Sequence, residues 1–166
     1  MRYKSWSYRF AEQILNSKFS IKTEIEEIID SINLKPEIMS RPNLNKAFRE
    51  EFLKKRWEEQ PAVFNEPADP SAKIDYLKER VGVEVAFSHE SFIGIDLMKF
   101  QMLSYSYLDK IDLGVYMAVT KDFANILIKK YQQKWRGSLT FEKICTYLPH
   151  FRSAIQVPIY VIGLEE

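Results

Sequence analysis

Apolar residues in the first third of the chain recur every three or four positions, the spacing of one face of an α-helix. This spacing predicts three helices. Their apolar positions are Trp6, Phe10, Ile14 and Leu15; Ile21, Ile25, Ile28, Ile29 and Ile32; and Leu44, Phe48, Phe52 and Leu53. Asn43 or Asn45 is the expected N-cap of the third helix, because its side chain can accept from free backbone N–H groups. We therefore expect residues 1–57 to form a helical part.

The apolar period falls to two after residue 72, which is typical of β-strands. The alternating positions are Val81, Val83 and Val85 against Gly82, Glu84 and Ala86. Because successive side chains of a strand point to opposite faces, Glu84 and Ala86 share one face and the valines pack on the other. A short apolar stretch at residues 74–77 predicts the hairpin partner of this strand. Residues 60–71 contain three prolines and predict a loop before the hairpin.

The remainder of the chain alternates helical and strand patterns. The predicted elements are a helix at 92–108, a strand at 111–119, a helix at 122–135 ended by Gly137, a helix at 140–147 and a strand at 157–162. Pro158 indicates that the last strand lies at a sheet edge or begins there. This order predicts an α/β fold, with a mixed sheet of four strands or slightly more between helices. Residues 1–166 are expected to form one domain.

Composition and charge do not by themselves indicate a partner. Charged residues are 28% of the chain and the formal net charge is +1, without the strongly basic balance of many nucleic-acid-binding proteins. A run of basic residues could still concentrate positive charge on one surface, or simply form a solvated helix face. These residues are Lys121, Lys129, Lys130, Lys134 and Arg136.

The cysteine count and the apolar runs bear on the compartment. Cys145 is the single cysteine, so an intrachain disulfide is impossible, which fits a reducing environment. The apolar runs are all shorter than the roughly 20 residues that a membrane span needs. We therefore expect a cytoplasmic protein with no membrane partner.

Two acidic residues occupy positions where apolar neighbours would disfavour an unpaired charge. Asp75 interrupts the stretch 74–77, and Glu84 lies within the valine strand. Two carboxylates delivered by adjacent strands suit a hard cation such as Mg²⁺, with the backbone carbonyl of Val85 or Ala86 as a further ligand. A metal site of this kind can assist phosphodiester cleavage by helping the attacking water and the leaving oxygen.

The residue two positions after Glu84 is the weak point of this hypothesis. A Lys, Glu or Gln at that position, on the same strand face as Glu84, could orient the water or stabilise developing charge, and Ala86 can do neither. Several nearby side chains could substitute for it. The candidates are Lys99 and Gln101 on the predicted helix, Ser88 and His89 at the strand end, and Glu50 or Glu51 on the preceding helix.

The same acidic residues could have structural roles, as members of ion pairs, instead of catalytic ones. Glu84 could form an ion pair with Lys73 or Lys99, and Asp96 could pair with Lys99 on a helix surface, three residues away. The two histidines, His89 and His150, are too far apart in sequence to suggest a metal site. Cys145 is interpreted as a core residue rather than a nucleophile.

Several stretches of the chain, in order, resemble one known family. They are KIDYLKERVGVEV at residues 73–85, DLMKFQ at 96–101, IDLGV at 111–115 and VPIYVIG at 157–163, with Leu44, Asn45, Phe48, Phe52 and Trp57 upstream. The family is that of the BglII/BstYI-type restriction endonucleases. The resemblance implies the PD-(D/E)XK core, here over residues 72–166, and a homodimer that cuts short palindromes in double-stranded DNA with Mg²⁺. Asp75 and Glu84 match the family's metal-binding acids, whereas the family usually has Gln or Glu where this chain has Ala86.

The leading hypothesis is therefore a type II restriction endonuclease that uses Mg²⁺, with Mn²⁺ as an alternative metal. Asp75 and Glu84, with the carbonyl of Val85, would bind the metal, and Lys99 or Gln101 would replace the missing side chain. An alternative is a catalytically impaired nuclease fold that serves as a DNA-binding or interaction module, which Ala86 favours. A third hypothesis is an active nuclease with another substrate, such as a DNA junction or damaged DNA.

Overall fold

A computed structural model describes residues 1–64, 72–105 and 108–166. The strands are β1 (Arg2–Tyr8), β2 (Glu58–Glu59), β3 (Tyr76–Lys78), β4 (Val81–Val85), β5 (Leu113–Val119) and β6 (Ile159–Glu165). The helices are α1 (Ala11–Ser17), α2 (Phe19–Ser31), α3 (Arg41–Lys54), α4 (Ile93–Ser104), α5 (Lys121–Lys129) and α6 (Phe141–Tyr147). Residues 65–71 of the expected loop, and residues 106–107 of the expected helix at 92–108, lie outside the described residues.

The six strands form one mixed sheet in the order β1-β6-β5-β4-β3-β2. The three central strands β4, β5 and β6 run parallel to one another. The remaining pairs are antiparallel: β1 with β6, β3 with β4, and β2 with β3. In this register Glu84 of β4 lies beside Tyr116 of β5. A mixed α/β fold is therefore confirmed, and the sheet has six strands, whereas a sheet of four strands or slightly more was expected.

Strict alternation along β4, β5 and β6 gives the sheet two different faces. The odd-numbered residues of β4 and β5 pack with helices α1, α2, α3 and α5, on what we call the first face. The opposite residues point to helices α4 and α6, on the second face. Glu84 and Ala86 were expected to share a face opposite the valines, and the structure confirms this arrangement.

Two glycines allow the helices of the second face to lie close to the sheet. A Cβ at Gly114 would lie 2.6 Å from the ring of Phe100 in α4. A Cβ at Gly163 would lie 2.6 Å from the ring of Phe141 in α6. Only glycine leaves room for these rings, so α4 is seated directly over the strands that carry Glu84 and Tyr116.

The expected helix at the N-terminus was wrong, since residues 2–8 form strand β1, antiparallel to β6. The helical spacing of Trp6 and Phe10 was coincidental, because Phe10 is largely exposed and adopts a left-handed backbone conformation at the start of α1. β1 pairs with β6 along its full length, from Arg2 opposite Glu165 to Tyr8 opposite Ile159. The N-terminal third is therefore not wholly helical.

Other element boundaries also differ from expectation. Ser40, not Asn43 or Asn45, caps α3, where its hydroxyl accepts from the backbone N–H of Asn43. Helix α5 ends at Lys129, so Gly137 lies in a later turn. Strand β6 lies inside the sheet between β1 and β5, so it is not an edge strand. Pro158 immediately precedes it, which agrees with the alternative expectation that the strand begins at this proline.

Candidate active site

The β3–β4 hairpin brings Asp75 and Glu84 together. Tyr76 pairs with Val83, so Asp75 just before β3 lies next to Glu84 along the paired strands. Asp75 Oδ2 accepts a hydrogen bond of 2.8 Å from the backbone N–H of Val85. The hairpin therefore fixes one acid against the strand that carries the other.

The turn of this hairpin is anchored from outside. Glu79 and Arg80 both have positive φ, as a tight two-residue turn requires. The Arg80 guanidinium donates to Asp112 Oδ1 at 2.8 Å and to Asp109 Oδ1 at 2.7 Å. Lys18 Nζ donates to the carbonyl of Glu79 at 3.0 Å. These contacts hold the hairpin, and with it the acid pair, against the rest of the fold.

Glu84 is buried in a polar cluster between β4, β5 and α4. It is 4% exposed, and its Oε1 accepts from Lys99 Nζ at 2.9 Å. Lys99 also donates to Asp96 Oδ1 at 3.3 Å, and Asp96 Oδ2 accepts from the Tyr116 hydroxyl at 2.8 Å. We call Asp75, Glu84, Asp96, Lys99 and Tyr116 the acidic cluster.

The charges of the acidic cluster do not cancel. Three carboxylates face one ammonium, which leaves a formal charge of −2 when all are ionised. Burial raises the pKa of Glu84 well above its ordinary value, and the nearby Asp75 and Asp96 raise it further, against the opposing effect of Lys99. Burial also raises the pKa of Asp75, although the Val85 N–H partly offsets this. A cation at this position would relieve the repulsion.

The pKa values of the lysine and the tyrosine define their roles as donors. Burial alone would lower the pKa of Lys99, but Glu84 and Asp96 outweigh it and the net shift is upward. Burial and the Asp96 carboxylate raise the pKa of Tyr116 well above its ordinary value. Lys99 is therefore an ammonium and Tyr116 a neutral hydroxyl at physiological pH.

The donor set offers oxygen ligands for a hard cation. Asp75 and Glu84 supply carboxylates, and the backbone carbonyl of Val85, which accepts from the N–H of Phe87 at 3.2 Å, supplies a further oxygen. In the described part of the chain, no group of three or more His, Cys, Asp or Glu side chains is arranged to hold a metal ion. Mg²⁺ commonly binds through one or two carboxylates and keeps several waters, so this donor set fits it.

A comparison with protein-family models matches residues 3–164 to the restriction endonuclease BglII/BglIII family. The chain belongs to this family. Among solved structures, the fold is similar to that of the restriction endonuclease BglII complexed with a DNA 16-mer, with a TM-score of 0.77 and 20% identity. That match covers 100% of this chain and 79% of the BglII chain. A search of curated proteins found no match.

Position 86, on the same face of β4 as Glu84, carries no polar side chain. Ala86 is 4% exposed and packs in the apolar cluster that also contains Ile93 and Leu97 of α4. Lys99, two residues after Leu97 on α4, is the side chain that reaches Glu84. Helix α4 therefore places an ammonium beside Glu84, whereas position 86 contributes only a methyl group.

Gln101 does not join the acidic cluster, contrary to expectation. Its Oε1 accepts from the backbone N–H of Val157 at 3.1 Å and of Gln156 at 2.5 Å, which anchors the segment before β6. Residues two apart on a helix point about 200° apart, so Lys99 and Gln101 cannot both face Glu84.

The other proposed substitutes also lie elsewhere. Ser88 is exposed, and the His89 ring caps a short helical turn by accepting from the N–H of Ser91. Glu50 and Glu51 lie on α3, which covers the first face, and they pair with Lys46 and Lys54. These residues are therefore outside the acidic cluster.

Two of the ion pairs expected from the sequence are present, and one is absent from the described residues. Glu84 does form an ion pair, with Lys99, while Lys73 bridges to Ala62 through its backbone. The Asp96–Lys99 pair exists, but it is largely buried instead of lying on a helix surface. Burial raises the pKa of the Cys145 thiol to about 12, which suits a core residue and not a nucleophile.

The basic run of the sequence, from Lys121 to Arg136, starts in helix α5. Helix α5, which begins this run, packs on the first face and so lies across the sheet from the acidic cluster. Among the described helices, none combines the length and the apolar character that a bilayer crossing requires.

Two members of the acidic cluster, Asp96 and Tyr116, were missed as site residues. Tyr116 stands in a run of small and aliphatic residues on β5, where its hydroxyl requires a buried partner. Asp96 lies three residues before Lys99, so the two share one side of α4. The need of the Tyr116 hydroxyl for a buried partner, together with the three-residue spacing of Asp96 and Lys99, would have identified both Tyr116 and Asp96 as neighbours of Glu84.

Proposed function

We propose that this protein is a Mg²⁺-dependent endonuclease of the type II restriction kind, built on the PD-(D/E)XK core, which hydrolyses phosphodiester bonds of double-stranded DNA. The observation that carries the proposal is the acidic cluster. A buried glutamate beside a half-buried aspartate, with a surplus of negative charge, is costly to the fold unless it serves a ligand. Membership of the restriction endonuclease family supports a nuclease.

Asp75, Glu84 and the carbonyl of Val85 would hold the metal, either Mg²⁺ or Mn²⁺. When bound, such an ion polarises the scissile phosphate and makes a coordinated water more acidic. The protein's own contribution is to fix both carboxylates on one hairpin and to exclude bulk water from Glu84. The Lys99 ammonium, 2.9 Å from Glu84, would orient the attacking water or neutralise charge on the phosphate.

A homodimer is part of this proposal, because cutting both strands of a duplex calls for two sites. Helix α4 presents an exposed apolar row at a spacing of three residues, on the side away from the sheet. Its members are Phe92, just before the helix, Ile95 and Met98, which are 48%, 59% and 45% exposed. A second copy of the chain packing on this row would set two acidic clusters near one another.

Cleavage of a long DNA of mixed sequence, with Mg²⁺ or Mn²⁺, tests the proposal. Wild-type protein is expected to give discrete fragments, and addition of EDTA is expected to stop cutting. Glu84→Gln should remove activity, while Glu50→Gln, an exposed glutamate on α3, should keep it. Failure of the wild type to cut with either metal would refute the nuclease, and cutting by Glu84→Gln would refute the site.

Ala86 supports a second candidate, a nuclease fold without catalysis that binds DNA or another protein. Calorimetry separates the two candidates. DNA binding in the absence of any Mg²⁺ or Mn²⁺ binding would favour the non-catalytic module. Cutting confined to branched or damaged DNA would instead retain the nuclease with a different substrate.

A further inference from the structure

Lys99 differs from the usual third residue of such a site because it comes from a helix. A lysine has a flexible four-carbon stem and a single point charge, so its position is not set by the backbone alone. A side chain that follows the glutamate on the same strand is oriented by the strand itself. The ammonium of Lys99 therefore needs a second partner if it is to stay at one place beside Glu84.

Asp96 supplies that second partner. It lies on the same side of α4 as Lys99, and its Oδ1 accepts from Lys99 Nζ at 3.3 Å. Asp96 is 7% exposed, and its other oxygen is occupied by the Tyr116 hydroxyl at 2.8 Å. Both carboxylate oxygens of Asp96 thus have a defined donor.

Tyr116 connects this arrangement to the strand that lies beside Glu84. It is fully buried on β5 and stands opposite Glu84 in the register of β4 and β5. The Phe100 ring packs edge-on against it, with centroids 5.7 Å apart. The buried ring of Tyr116 therefore fixes the position of its hydroxyl. Because this hydroxyl belongs to β5, the sheet orients the Asp96 carboxylate independently of α4.

Stability does not account for these buried polar groups. Replacing a buried charged pair with apolar residues is often neutral or stabilising, because the desolvation of both charges is costly. The surrounding residues of α4 that face the sheet, Ile93, Leu97 and Phe100, are apolar. An apolar residue at 96 would continue this pattern.

We propose that Asp96 and Tyr116 are positioning residues that hold the Lys99 ammonium beside the Asp75–Glu84 pair. They make a helix-borne lysine equivalent to the strand-borne side chain that Ala86 lacks. Neither residue touches the substrate in this role. The inference rests on the proposed nuclease function for its catalytic consequence, but the geometric claim about Lys99 stands apart from it.

Rates of DNA cleavage test whether Asp96 acts through Lys99. Asp96→Asn should lower kcat by about 10- to 100-fold, and Tyr116→Phe by less, with KM for DNA little changed. In a Lys99→Ala background, Asp96→Asn should change kcat by less than about 2-fold, because residues acting as one unit are not additive. The exposed Asp30→Asn is the matched control. Equal losses in both backgrounds, or full activity of Asp96→Asn, would overturn the proposal.

A second measurement does not depend on activity. NMR of the Lys99 side-chain ammonium should show a rigid group protected from exchange in the wild type, and a mobile one in Asp96→Asn. Tyr116→Phe, which retains the charge of Asp96, should give an intermediate result. A Lys99 ammonium that is equally ordered in all three proteins would overturn the proposal. An inactive wild type with the expected NMR series would instead refute the nuclease function and leave the positioning role standing.

Discussion

The two faces of the sheet are built from the same strands but differ in what they bury. The first face is apolar throughout its centre, where Phe48 and Phe52 of α3 pack on the valines of β4. Its ion pairs, such as Lys78–Glu24 at 2.8 Å, lie at the rim and remain partly exposed. The second face is also apolar under α4 and α6, but the acidic cluster interrupts it at Glu84.

The apolar first face contributes mainly to the stability of the fold, whereas the acidic cluster on the second face forms the candidate active site. Burial of apolar side chains on the first face stabilises the sheet, and any helix with the right spacing serves this purpose. The acidic cluster contributes no comparable stability, because three neighbouring carboxylates repel one another and lose hydration. Changes on the first face should therefore alter stability, and changes in the acidic cluster should alter activity.

The largest expected effect is on cleavage when either acid is neutralised. Asp75→Asn and Glu84→Gln keep the shape of the side chain but remove the charge that would hold the metal. We expect cleavage rates to fall by at least about 10³-fold in each, with an unchanged far-UV spectrum. Steady-state or single-turnover cleavage measures this. Activity within tenfold of wild type would mean that the second face is not the site.

The corresponding test of the first face is Phe52→Ala. Phe52 is fully buried, stacks on Tyr76 with centroids 4.1 Å apart and packs edge-on against Trp57. We expect a loss of about 3–5 kcal/mol in the free energy of unfolding, measured by urea denaturation. Leu53→Ala, at a partly exposed neighbouring position, should cost much less. A small loss at Phe52 would contradict the assignment of stability to this face.

Moving the lysine from the helix to the strand tests the substitution for Ala86. Lys99→Ala should lower the cleavage rate by about 10²-fold. Adding Ala86→Lys to that variant should restore about tenfold, because residue 86 lies on the same face of β4 as Glu84. Lys46→Ala, an exposed lysine on α3, is the matched control. Absence of any recovery, in a double variant that folds, would count against the equivalence of the two positions.

The smallest expected effect is a pH-dependent gain of stability in Glu84→Gln. The native pKa of Glu84 is raised, mainly by burial, so between the ordinary glutamate pKa and this raised value the native state binds more protons than the unfolded state. Wild-type stability should therefore fall as the pH rises through this window. In EDTA, the stability of Glu84→Gln relative to the wild type should therefore increase as the pH rises through this window. A constant difference across the window would contradict the raised pKa.

The sequence predicted the parts of the fold in which one physical rule acts alone. Alternation along β4 correctly assigned Glu84 and the valines to opposite faces, and the hairpin brought Asp75 to Glu84. Strand β1 was mistaken for a helix because Trp6, Phe10 and Ile14 happen to match the helical period. Its shorter alternation, Trp6-Ser7-Tyr8, becomes decisive only when β6 is available as a partner.

The completion of the site could be predicted only in part. Lys99 and Gln101 were equal candidates from sequence distance, although helix geometry excludes one of them once the other faces Glu84. Which one does so depends on how α4 lies over the sheet, and the close approach of Phe100 to Gly114 determines this. Tyr116 and Asp96 belong to elements that meet only in the folded chain.

Titration of the protein with Mn²⁺ or Mg²⁺ in a calorimeter tests the central claim most directly. We expect one principal metal site per chain in the wild type, its loss in Glu84→Gln and its retention in Glu50→Gln. Absence of metal binding by the wild type, or equal binding by Glu84→Gln, would contradict the claim that the second face carries a metal-dependent nuclease site.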